Sequence, residues 1–108
     1  MAKRIVIKYD DKDYTLEFTR DSVRNMETGG FDITKVDSKP MTMIPLFVFG
    51  AFKANHPNMK RDKADEIYAS IGSKTEFIKK LSEMYQETVE SLTDDDGTEG
   101  NSEWKASW

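Results

Sequence analysis

Pro40-Met41-Thr42-Met43-Ile44-Pro45-Leu46-Phe47-Val48-Phe49-Gly50-Ala51-Phe52 is apolar almost all the way round. A helix with no polar face must be covered on most sides, so this run demands neighbours from the rest of the chain or from another chain. Asp37 or Ser38 is placed to cap it, and Pro40 suits its first turn, where a missing N–H does least harm. Pro45 moves the expected start of regular helix toward Met41 or Thr42, and Pro57 ends the helix after about Asn55. Gly50 and Ala51 leave room for another backbone to come close. At thirteen residues with two prolines and a glycine, the run falls short of the ~20 apolar residues that span a bilayer.

On its N-terminal side the chain offers cover in two forms. Ile5, Ile7 and Tyr9 alternate with polar residues, as do Tyr14, Leu16 and Phe18, and Asp10-Asp11-Lys12-Asp13 between them is a loop of hairpin length. A lone hairpin is marginal in water, so its apolar face needs a helix to lie against. Thr19 is a plausible N-cap for a short helix carrying Val23 and Met26 one turn apart, and Gly29-Gly30 stops it. Gly29 is expected to take the left-handed conformation, with Phe31 folding back onto Val23 or Met26. Ile33 and Val36 anchor the loop that follows.

On the C-terminal side, Ala64, Ile67, Tyr68 and Ile71 fall at i, i+3, i+4 and i+7 of a helix that starts at Arg61 or Asp62 and closes at Gly72. Ser73-Lys74-Thr75-Glu76 matches a capping box. The last helix then carries Phe77, Ile78, Leu81, Met84, Tyr85, Val89 and Leu92 as a stripe opposite Lys79, Lys80, Glu83, Glu87 and Glu90. The expected fold is α+β: an N-terminal β-hairpin packed on a mainly helical body of about four helices. Residues 1–93 form the domain, and residues 94–108 an acidic flexible tail whose Trp104 and Trp108 are unusual company for disorder.

The chain has 108 residues and no cysteine, which sets aside disulfides and thiol chemistry and points to a soluble protein of a reducing cytoplasm. No signal-peptide pattern opens it. The net charge of −4 resides in the tail, where Asp94, Asp95, Asp96, Glu99 and Glu103 outnumber Lys105. The body is balanced, and Lys60, Arg61 and Lys63 are interleaved with acids, so neither nucleic acid nor membrane is an expected partner. His56 stands alone at a helix end, where capping is a simpler role than catalysis. Asp96-Gly97 resembles the middle of a calcium loop, but Leu92 falls where the first ligand must be. No catalytic, cofactor-binding or metal-ligating set emerges; Met26, Met41, Met43, Met59 and Met84 with the Phe cluster suit a core first, and an adaptable groove for a partner helix as the alternative.

Tyr14-Thr15-Leu16-Glu17-Phe18-Thr19-Arg20, Met26-Glu27 with Gly30-Phe31, Lys39-Pro40 with Met43-Ile44-Pro45, Phe49-Gly50-Ala51-Phe52 and the closing Gly-Asn-Ser-x-Trp carry a resemblance that covers nearly the whole chain. Together they resemble a family of small proteins from siphophages and prophages of Gram-positive bacteria, catalogued as a domain of unknown function and similar to the tail assembly chaperones. The resemblance implies a non-catalytic protein of the bacterial host cytoplasm, absent from the mature virion, that binds the tape measure protein, helps recruit tail tube protein and is capable of self-association. It also implies a longer product made by ribosomal frameshift, for which the codons of residues 99–101 are the candidate site. The family provides no residue-level site. On physical grounds the partner surface is assigned to Phe47, Phe52, Phe77, Leu81, Met84, Tyr85 and Leu92. The alternative is a structural virion component such as a head–tail connector or tail terminator.

Overall fold

The computed structural model describes residues 3–92 and 105–107. An antiparallel hairpin of β1 (Ile5–Tyr9) and β2 (Lys12–Leu16) is followed by α1 (Arg20–Thr28), a 3₁₀ turn (Ile33–Lys35), α2 (Pro40–Lys53), α3 (Arg61–Ser70) and α4 (Lys74–Glu90). This is an α+β fold. Residues 105–107 are exposed and carry no regular secondary structure, and the rest of the expected acidic tail lies outside the described residues.

The hairpin is tighter than the sequence suggests. Tyr9 pairs with Lys12, leaving Asp10 and Asp11 as the whole turn, with φ of 53° and 64°. Two consecutive left-handed residues match the twist of the flanking strands, and Asp tolerates that conformation better than most side chains. Lys12 and Asp13 are therefore strand, not loop. The other edge of β2 is finished by the end of α2 instead of by a third strand: Glu17 N–H donates to the Ala51 carbonyl at 3.0 Å, and Asn55 Nδ2 donates to the Thr15 carbonyl at 3.3 Å. The close approach expected at Ala51 is thus made by the β2 backbone.

Helix ends follow local chemistry in one case and depart from it in another. Thr19 caps α1 reciprocally with Ser22: Ser22 N–H donates to Thr19 Oγ1 at 3.0 Å, and Thr19 N–H to Ser22 Oγ at 2.8 Å. At the other end Gly30, not Gly29, takes the left-handed conformation, with φ of 105°. Phe31 N–H then reaches the Met26 carbonyl and Gly30 N–H the Glu27 carbonyl, at 2.9 and 3.1 Å, which closes the helix as a Schellman motif. The capping box expected at Ser73 does not form. The short link from α3 to α4 turns at Ser73, whose φ of 54° is left-handed, and a cap side chain needs an extended backbone to reach forward.

α2 begins at Pro40 with Lys39 as its N-cap, so neither Asp37 nor Ser38 caps it. Pro45 lies inside the helix without breaking it. The carbonyl left without a donor belongs to Met41, which is 89% exposed, so water can take that place.

The core forms around one face of α2. Met43, Phe47, Val48, Ala51 and Phe52 are buried against Leu16 and Phe18 of the hairpin side, Ala64 and Ile67 of α3, and Leu81, Met84 and Tyr85 of α4. Phe47 lies between two rings that stack on it, Phe18 at 5.4 Å and Phe31 at 5.3 Å. Tyr85 meets Phe18, Phe31 and Phe47 edge-on, each within 5.6 Å. Offset stacking and edge-to-face contacts both favour the ring quadrupoles, which gives this cluster a defined geometry and not merely a buried area. Thr88 Oγ1 donates to the Phe18 carbonyl and the Arg20 guanidinium to Ser91, so the end of α4 is fastened to the start of α1.

Candidate partner-binding groove

The seven residues assigned to a partner surface divide sharply. Phe47, Phe52 and Leu81 are 0% exposed, and Met84 and Tyr85 are buried with them, so these five hold the domain together and present nothing to a partner. Phe77 is half-buried beside Tyr68, with ring centroids 6.0 Å apart. Leu92 is exposed at the end of the described body. The residues cannot be brought together as one surface in this fold. The buried part of the α4 stripe is core, because α1 and the rings of Phe18, Phe31 and Phe47 cover it.

An open apolar surface exists elsewhere, between α1 and α2. A groove of about 550 Å³ runs between Ser22, Asn25 and Met26 on one helix and Leu46, Phe49 and Gly50 on the other. The spacing of 46, 49, 50, 53 and 54 is one face of α2, about a quarter-turn or more from the face that carries Phe47. Leu46 and Phe49 are half-buried. Met26 forms the floor: a methyl group built on Gly50 would sit 2.3 Å from Met26 Sδ and 2.7 Å from its Cγ and Cε. The close approach expected at Gly50 is therefore made by a side chain, and glycine is needed there so that the thioether can lie on the helix backbone.

Charge is unevenly placed along the groove. At one end Lys53 Nζ and the Arg61 guanidinium each sit 5.5 Å from the centre of the Phe49 ring. Lys53 also donates to the Pro57 carbonyl. Among the described residues neither cation has a carboxylate partner, so this end is net positive. Asp21 lies at the other end, paired with Arg24 at 3.6 Å.

The titratable groups outside the groove have structural work. His56 Nε2 accepts the Thr15 N–H at 3.1 Å, with its ring against Tyr14 and Phe52. The imidazole thus completes the edge of β2 and is not the side-chain cap of α2 expected from its position. Glu17, which the alternation of β2 directs outward, is instead buried, held by Asn55 Nδ2 at 2.9 Å and by Arg4 at 3.4 Å. The Tyr9 hydroxyl donates to Glu66, which raises the tyrosine pKa and, with Lys63, lowers that of the carboxylate. Hydrogen bonds from Thr34 lower Asp32. Burial raises Tyr68. Burial first, then the Glu27 carboxylate 3.3 Å from its hydroxyl, push Tyr85 up to about 12. Each of these shifts leads away from neutrality, so none prepares a group for proton transfer near pH 7. Among the described residues no cluster of three or more His, Cys, Asp or Glu could hold a metal ion, and no helix is long and apolar enough to cross a membrane.

Leu46 and Phe49 lie outside the set assigned to a partner surface, whereas Met26 is one of the methionines expected in a Met- and Phe-lined groove. A signal for them was present: α2 is apolar on every side, while α1 has nine residues to its fourteen, about 14 Å of helix against 21 Å. One short helix cannot close a whole face of a longer one. No curated protein and no solved structure is matched by the chain. The family described as Domain of unknown function (DUF5055) matches residues 1–108, and the chain belongs to that family.

Proposed function

We propose that this protein is a non-catalytic tail assembly chaperone of a siphophage or prophage, acting in the host cytoplasm, that binds the tape measure protein and assists assembly of the tail tube. The observation that carries this reading is the half-covered face of α2, where Leu46 and Phe49 flank a Met26 floor. Such a groove fits the apolar side of an amphipathic helix presenting residues at i, i+3 or i+4 and i+7, and a methionine floor adapts to unlike side chains in successive partner segments. The tape measure protein is a long helical chain, and many segments of that kind are what the resemblance implies. An acidic residue at one end of the bound segment would complement Lys53 and Arg61.

Co-expression with the tape measure protein of the same phage tests this directly. The expected result is that the partner stays soluble and co-purifies, and that Phe49→Asp abolishes both effects while leaving the chaperone folded. No gain in partner solubility, or equal gain with Phe49→Asp, overturns the reading. Mass spectrometry of purified virions provides the second arm: the protein is expected to be absent, and its presence at stoichiometric copy number would make it a structural component.

A further inference from the structure

The hairpin has one finished edge and one open edge. The two-residue turn makes Tyr9 and Lys12 a hydrogen-bonded pair, and alternation along the ladder makes Ile7–Tyr14 and Ile5–Leu16 pairs of the same kind. Thr15 and Glu17 then turn their backbone groups away from β1, where His56, Asn55 and Ala51 meet them. On β1 the same alternation turns the N–H and C=O groups of Val6 and Lys8 outward, and among the described residues nothing bonds them. Val6 is 62% exposed, and Ile5, Ile7 and Tyr9 are only half-buried, although Leu16 opposite Ile5 is sealed. Charge along this edge is ordered: Lys3-Arg4 precede the strand and Asp10-Asp11 follow it. Neither aspartate has an ion-pair partner among the described residues, and Lys3 and Arg4, though paired with Glu87 and Glu17, remain more than half exposed.

We propose that the outer edge of β1 is a self-pairing surface, to which β1 of a second copy of this chain adds antiparallel about a twofold axis at Ile7. In that register Val6 of one copy lies opposite Lys8 of the other, and the outward backbone groups of the two exchange hydrogen bonds, twice over by symmetry. Ile7 meets Ile7 and Ile5 meets Tyr9, so the half-buried apolar row is continued across the axis. Arg4 comes against Asp10 and Lys3 against Asp11. Other registers are worse: an axis at Val6 sets Arg4 opposite Lys8, an axis at Lys8 sets two lysines face to face, and a one-residue slip opposes outward-turned groups to inward-turned ones. Parallel pairing brings the basic ends together. A second copy is the occupant because one segment, basic at its start and acidic at its end, supplies both halves of the match. No β1 residue lines the α1/α2 groove, so a dimer offers two grooves to one elongated partner. That consequence rests on the groove being the partner site, whereas the pairing does not.

Sedimentation velocity of the full chain should show a monomer–dimer equilibrium that shifts with protein concentration. Val6→Pro removes an outward N–H that the hairpin ladder does not use, and should give a monomer with unchanged far-UV circular dichroism. Should proline disturb the hairpin, Asp10→Asn with Asp11→Asn decides: asparagine keeps the left-handed turn, removes its charge and should weaken the dimer severalfold. The chain has no cysteine, so single cysteine variants read the register. Under mild oxidation Ile7→Cys should link the two copies, because residues of a directly opposed, non-hydrogen-bonded pair lie about 4.5 Å apart. Val6→Cys, about 7–8 Å from its symmetry mate, should link far more slowly. Phe49→Asp, in the groove, should leave the equilibrium unchanged. A monomer at every accessible concentration, a dimer indifferent to both the proline and the asparagine variants, or linkage as fast at Val6→Cys as at Ile7→Cys overturns the proposal. Loss of the dimer in Phe49→Asp overturns it too, by placing the contact in the groove. Intact pairing in a protein that fails to bind a tape measure helix peptide sinks the partner reading and leaves self-pairing standing.

Discussion

α2 has two apolar faces of nearly the same composition and opposite fates. On one, Phe47 and Phe52 are wholly buried under the hairpin, α3 and α4. On the other, Leu46 and Phe49 face the short α1, with the side chain of Met26 laid across Gly50 and only the Arg61 guanidinium of α3 reaching over the Phe49 ring. The difference shows that hydrophobicity alone does not distinguish core from surface in this protein. What decides is how much chain each neighbouring element can bring to bear, and the rigid ring cluster on the closed face contrasts with the adaptable thioether on the open one.

The largest effect should come from the closed face. Phe47→Ala removes the ring stacked between Phe18 and Phe31 and is expected to cost about 3–5 kcal/mol, measured by urea denaturation, which is much of the stability of a domain this size. Leu81→Ala, equally buried, should follow at about 2–5 kcal/mol. On the open face Phe49→Ala should cost only about 1–2 kcal/mol, since the ring is half-exposed, while losing partner binding. Equal costs at Phe47 and Phe49 would break the comparison, because both faces would then be core.

Alkaline pH probes the ring cluster from another direction. Tyr85 is pushed up to about 12 from 10.0, so its hydroxyl stays protonated in the folded protein where the unfolded chain has already released its proton. The contribution is fully present below pH 10 and is lost as pH rises from there toward about 12. Denaturation midpoints taken across that window should fall for the native protein and fall less for Tyr85→Phe. Tyr68, raised by burial alone, adds to the decline in the same direction.

Smaller again is the effect at the α1 cap, where Thr19→Ala removes the acceptor of the Ser22 N–H and should lower the thermal midpoint by the equivalent of about 1 kcal/mol. The smallest is Gly50→Ala. A better helix former replaces glycine, worth up to about 1 kcal/mol, but Met26 must leave the backbone it covers, and the two effects roughly offset in stability. Calorimetry would register little change, while the displaced thioether would fill the groove and weaken partner binding.

Much of the fold was legible from local chemistry. Alternation at Ile5, Ile7 and Tyr9 and the stripe of α4 each have one period and therefore one regular structure, and the apolar run of residues 40–52, which has no period, is too long for an ordinary strand and so reads as helix. Several local readings went astray, two of them for plainly local reasons: a two-residue turn needs left-handed backbone that Asp10 and Asp11 supply without glycine, and Ser73 matches a capping box in letters but not in backbone angle. The groove was less legible. Met26, Leu46 and Phe49 look like any core residues, and Phe47, Phe52, Leu81, Met84 and Tyr85 looked equally available to a partner until their neighbours were in place.

The sequence by itself determined the elements, their order and the need to cover α2, because hydrophobic period and helix punctuation act over a few residues. Only the tertiary structure decided which face of α2 is closed, that His56 and Asn55 complete the edge of β2, and that Glu17 goes inside. Those outcomes depend on contacts between residues about forty positions apart, and no local pattern carries the geometry that brings them together.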